Sequence, residues 1–104
     1  MRMARIRRAE LDQRRADLVS AQEAVALIDA ALAALEYEFA SLSMTLSGQA
    51  DLLVRLSEEF RLRSLELDQR RLQAEGRLVA AQKSVVDARG ELRTAELFLD
   101  RNRR

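Results

Sequence analysis

Ser47-Gly48-Gln49-Ala50-Asp51 is the one short stretch where a helical pattern breaks, and it lies almost midway along a chain of 104 residues. A long heptad pattern runs on either side of it. In the first half Ala4, Leu11, Leu18, Val25, Leu32, Phe39 and Leu46 recur every seven residues and form the a column. Arg7, Arg14, Ala21, Ile28, Leu35 and Leu42 form the d column, polar at its start and apolar from Ala21 onward. In the second half the d column is Leu53, Phe60, Leu67, Ala74, Ala81, Ala88 and Ala95, and the a column is Ser57, Ser64, Arg71, Leu78, Val85, Leu92 and Leu99. A seven-residue repeat held this long specifies a left-handed supercoil.

Two such halves pair best when the chain folds back on itself. In an antiparallel pair a positions face d positions. With paired numbers summing to 99, Leu46 meets Leu53, Phe39 meets Phe60, Leu32 meets Leu67, Val25 meets Ala74, Leu18 meets Ala81 and Leu11 meets Ala88. Large residues mostly face small ones, as close packing requires. The same register centres the turn between Gln49 and Ala50. Gly48 stands there independently as a helix C-cap, with Ser47 and Asp51 available to cap or complement the next helix. The expectation is an all-α protein, two long helices in an antiparallel coiled-coil hairpin forming one domain over residues 1–104. Helix 1 is placed at about 4–46, the turn at about 47–51 and helix 2 at about 52–102. The competing arrangement is one unbroken helix paired with a second chain, since a single helical glycine costs only ~1 kcal/mol.

Composition agrees with a rod and excludes several functions. The chain is 48% hydrophobic and 34% charged, with only 4% aromatic residues and no proline. Ala, Leu, Arg and Glu dominate such helices. Cysteine and histidine are both absent, which removes disulfides, thiolate metal sites, the commonest general base and the commonest metal ligand. There is no phosphate-binding glycine loop, and the paired acids Glu58-Glu59 have no companion base. The chain is therefore expected to be no enzyme and to need no cofactor or metal. No apolar run approaches the ~20 residues of a membrane span, and the N-terminus lacks the apolar stretch of a signal peptide, so a cytoplasmic location is expected.

The charge is uneven. Residues 1–15 hold six arginines against Glu10 and Asp12, residues 16–62 hold two arginines against eight acids, and residues 63–104 hold ten basic against seven acidic groups. A hairpin gathers Arg2, Arg5, Arg7, Arg8, Arg101, Arg103 and Arg104 at one end, where they suit docking to an acidic protein surface. Without an aromatic side chain to stack a base they make a poor nucleic-acid site. Helix 2 also carries a spare apolar stripe, Leu65, Leu72, Val79 and Val86, off the hairpin seam, with Leu62 nearby. Helix 1 has a weaker counterpart in Ala24, Leu27, Ala31, Ala34 and Tyr37. An apolar stripe of this length either marks a partner, including a second copy of the chain, or widens the internal interface. The segment E-L-D-Q-R-R occurs twice, at Glu10–Arg15 and Glu66–Arg71.

A small basic hairpin with an uninterrupted heptad, ending Leu97-Phe98-Leu99-Asp100-Arg101-Asn102-Arg103-Arg104, resembles the FliJ/YscO family, the stalk proteins of flagellar and virulence type III export machines. The resemblance spans nearly the whole chain and rests on architecture and residue texture. It implies a two-helix coiled-coil stalk whose terminal end enters the hexameric export ATPase ring. It also implies a body that contacts the export gate and substrate chaperones, peripheral to the inner membrane.

Overall fold

The structure, a computed structural model, describes residues 2–103. It is all-α: α1 spans Arg2–Thr45 and α2 spans Ala50–Arg103, and they form an antiparallel coiled-coil hairpin. Helices of 44 and 54 residues persist because nothing inside them stops them. Proline is absent, and the only interior glycines, Gly76 and Gly90, cost about 1 kcal/mol each.

α1 ends by a glycine mechanism. Gly48 has φ of 92°, a left-handed conformation that other L-residues adopt at a cost of about 1–2 kcal/mol. Its neighbours close the chain with bonds three residues back: the Ser47 amide donates to the Met44 carbonyl at a long 3.4 Å, and the Gln49 amide to the Leu46 carbonyl at 2.9 Å. The Leu53 amide then donates to the Gln49 carbonyl at 3.0 Å, so α2 starts immediately after Gln49. The turn is thus tighter than the five residues expected. Ala50 and Asp51 are helical, because the left-handed step at Gly48 already reverses the chain. Asp51 lies in the first turn of α2, where its carboxylate complements the helix dipole. Among the described residues Ser47 makes no side-chain bond to the first turn of α2; Gln49 precedes the helix, and its carbonyl accepts the first intrahelical bond.

The three glycines therefore differ in sign. A Cβ at any of them would meet nothing within 4 Å. At Gly76 and Gly90 the backbone is helical, so alanine there should stabilise by up to about 1 kcal/mol each. At Gly48 the positive φ reverses the outcome, and Gly48→Ala should cost about 1 kcal/mol. Urea melts of the three single variants check this; a Gly48→Ala variant more stable than the parent would contradict the turn.

Contacts divide the chain into two compact units. The first joins the start of α1, up to Glu23, to the end of α2, from Glu75. Its core is Leu11, Val85 and Ala88, with Leu18 and Leu92 packed against them. Leu11 and Ala88 are partners in the register summing to 99. Ala95 is also buried here. The repeated alanines in α2 let the facing leucines and valines fill the gap between backbones.

The second unit is Ala24–Ala74 and contains the turn. Phe39 and Phe60 stack here with ring centroids 4.3 Å apart and planes 27° from parallel, as the register requires. Ala74 is buried, and Arg71 donates from Nε to Asp29 Oδ1 at 2.6 Å across the two helices. Close to the turn Leu46 and Leu53 stay half-buried as expected, but the column of Leu42 and Ser57 departs from the expectation. Leu42 is 39% exposed and Ser57 is exposed, while Ser43 and Leu56 are half-buried in their place. A helix of 3.6 residues per turn drifts about 20° per heptad from an exact seven-residue repeat. Here the drift turns Leu56 inward instead of Ser57, which favours the larger apolar side chain. Ser43 accompanies it, since 43 and 56 also sum to 99, and its buried hydroxyl has no hydrogen-bond partner among the described residues.

Candidate functional site

The arginines of the first unit sit on a defined frame. α1 and α2 run antiparallel, so the first turns of α1 lie beside the last turns of α2. Arg7 Nη1 bridges Glu10 and Glu91, each at 3.0 Å, and Arg8 Nη2 lies 3.6 Å from Glu96. Arg7 and Arg8, expected as docking residues, therefore spend their charge largely on holding the two helices in register. Such exposed pairs contribute only a few tenths of a kcal/mol each. Arg2, Arg5, Arg101 and Arg103 make no ion pair among the described residues. Arg104 lies outside them.

The placement of Arg2 and Arg5 runs against helix electrostatics. α1 has no acidic residue in its first turn, and Arg2 and Arg5 stand at the positive end of its dipole. Two like charges at that terminus weaken the helix slightly. Arg101 and Arg103 occupy the last turn of α2, where the dipole favours them. By composition the first unit carries 13 basic and nine acidic side chains, and the second carries five and eight.

Within the second unit the charges pair along α2. Glu59 with Arg63 and Glu66 with Arg70 are four residues apart with the acid first, the favourable order. Glu58 and Arg61 form a 2.6 Å contact. The hydrogen bond donated by Arg61, then its charge, holds the Glu58 carboxyl below the usual range. A lowered folded-state value means that this pair favours the folded chain above the unfolded-state pKa. The contribution disappears as pH falls through the folded value.

The apolar stripe of α2 is not absorbed into the seam. Leu65, Leu72, Val79 and Val86 are between 49% and 69% exposed, and Leu62 is exposed beside them. On α1, Leu27 and Tyr37 are exposed, as are Ala31 and Ala34, whereas Ala24 is half-buried. The internal interface stays two columns wide, and the stripes face outward.

No family model, curated protein or solved structure matches the chain. The grooves along the helices are open clefts. One, in the first unit, is lined by Met3, Val86, Gly90, Ala95 and Phe98 and rimmed by Arg7 with Glu91. No group of three or more metal-ligating side chains occurs among the described residues.

α1 departs from the expectation that no apolar run approaches the length of a membrane span. α1 contains an 18-residue window of mean hydropathy 1.6, so by length and composition it is a helix able to cross a membrane. The value comes from alanines added to the seam leucines, and the charges that break the run are few.

Proposed function

We propose that the chain is a non-enzymatic coiled-coil stalk or adaptor, whose terminal end docks on an acidic protein surface. The observation behind this is the set Arg2, Arg5, Arg101 and Arg103. The antiparallel fold gathers these four arginines, none of them ion-paired among the described residues. Two of them stand at a helix N-terminus, where they add nothing to the stability of α1. An acidic partner offsets that repulsion and gives the arrangement a use.

The resemblance to the FliJ/YscO stalks supplies the partner in this reading. The terminal end meets the export ATPase ring of a flagellar or virulence type III machine, and the body is free for the export gate and chaperones. The work is done in the cytoplasm, at the inner face of the membrane. The rod transmits position rather than chemistry.

The test is association with a purified hexameric export ATPase, measured by surface plasmon resonance across a salt series. Opposite charges steer encounter and are screened beyond ~8 Å at physiological ionic strength. Reversing Arg2, Arg5, Arg101 and Arg103 to Glu should slow association by at least about tenfold at low salt and flatten the salt dependence. Helicity by circular dichroism should not change. Replacing Leu65, Leu72, Val79 and Val86 by Ser should leave the salt dependence alone. Unchanged binding by the arginine variant would remove the docking end from the account.

A further inference from the structure

The three most exposed large apolar side chains among the described residues are Met44 at 80%, Tyr37 at 77% and Leu27 at 72%. All three lie on the stretch of α1 that belongs to the second unit, on the side away from α2. Between Ala24 and Thr45 the only charged residues are Asp29, Glu36 and Glu38. They occupy the e and g columns flanking the internal seam. The b, c and f columns, which point outward, hold no charge over these turns. On α2 the outward b column is also apolar from Leu65 to Val86, but Glu59, Glu66, Lys83 and Asp87 in the neighbouring outward columns flank it, as on a solvated helix face.

The outward face has a heptad pattern of its own. Ala26, Ala33 and Ala40 repeat every seven residues, and Ala30, Tyr37 and Met44 repeat every seven residues between them. The spacings alternate four and three, which is the spacing of a second coiled-coil seam. We infer that this face of α1 pairs with the same face of a second copy of the chain, antiparallel about a two-fold axis, with residue numbers summing to 70.

Steric complementarity selects that occupant and that register. With the numbers summing to 70, Tyr37 meets Ala33, Met44 meets Ala26 and Ala30 meets Ala40. Every large side chain is set over an alanine, and each contact occurs twice, as an isologous interface requires. A parallel pair sets Tyr37 on Tyr37 and Met44 on Met44 between empty alanine layers, which close packing forbids. A lipid surface is disfavoured by charge. Residues 16–54 contain six acids and no Lys or Arg, whereas helices that lie in a membrane interface carry basic residues on the polar face. Of these acids Asp29 and Glu36 lie along the edges of the pair, so raising salt screens their repulsion and tightens self-association. That is opposite in sign to docking through the basic end.

Sedimentation equilibrium of the whole chain at 50 and 500 mM salt is the first arm. A dimer of twice 11.8 kDa, stronger at high salt, is expected. Ala33→Glu changes an exposed helical position, so it should keep full helicity and sediment as a monomer. The chain has no cysteine, so a single introduced thiol cross-links only to another copy. Ala34→Cys lies one residue from the two-fold axis and should oxidise to a covalent dimer. Met44→Cys, whose two copies stand ~27 Å apart along the axis, should not. A monomer at every concentration with no cross-link overturns the inference. So does cross-linking through Met44→Cys in preference to Ala34→Cys, or a chain that stays monomeric in solution and floats with phosphatidylcholine vesicles.

Discussion

Leu11→Ala should lower the stability of the hairpin by about 2–5 kcal/mol, the largest loss expected from removing a single side chain. Leu11 is 4% exposed, the most buried of the core residues, and packs with Val85 and Ala88, while Leu18 and Leu92 close the cluster. Its partner across the seam is an alanine, too short to fill the space. The helices are held at their separation by the layers on either side, which leaves a cavity rather than a collapse. A urea melt followed by circular dichroism measures the loss. Leu27→Ala serves as the contrast: Leu27 is exposed, and in the monomer its truncation should shift the midpoint hardly at all. If Leu11→Ala leaves the midpoint unchanged, the Leu11–Val85–Ala88 cluster is not a core.

Phe60→Ala should cost about 3 kcal/mol, at the lower end for a phenylalanine because the side chain is only half-buried. The more specific expectation lies in its coupling to Phe39. Rings 4.3 Å apart in a stacked pair interact by about 0.5–1.5 kcal/mol beyond the area they bury. A double-mutant cycle with Phe39→Ala should return that coupling, so the double variant is more stable than the sum of the singles indicates. Strict additivity would mean that the rings do not touch in solution.

Most of this hairpin was legible in the residues. Phe39 with Phe60 and Leu11 with Ala88 follow from a heptad column and from matching large side chains to small. Gly48 was readable as the reversal because only glycine adopts a left-handed step without cost. The extent of the turn was not. Ala50 and Asp51 are good helix residues, and whether they are helical depends on how far the bonds around Gly48 carry the reversal. The exchange of Leu42 and Ser57 for Ser43 and Leu56 was hidden for a related reason. An ideal heptad count does not track the accumulated drift of a real helix near a closed end.

The surfaces were legible as patterns but not in their final balance. The arginines at the termini could be counted, yet Arg7 and Arg8 are committed to Glu91 and Glu96 only because α2 brings those acids alongside. The α2 stripe of Leu65, Leu72, Val79 and Val86 could equally have widened the seam; the pairing geometry leaves it outside. The outer face of α1 was the least visible. Ala26, Ala30, Ala33 and Ala40 look like neutral helix formers until their shared exposure with Tyr37 and Met44 is known.

The proposed docking and the gathering of the four terminal arginines depend on the antiparallel return of α2 along α1. The most direct test is a distance between spin labels at Arg5→Cys and Arg93→Cys, both exposed and both in the first unit. It is measured by double electron–electron resonance on doubly labelled chain diluted in excess unlabelled chain. Paired helices have axes 8–10 Å apart, so a distance under about 30 Å that survives dilution is expected. One straight helix would separate the labels by ~130 Å. A short distance that vanishes on dilution, or none at all, would contradict the hairpin and the docking end built on it.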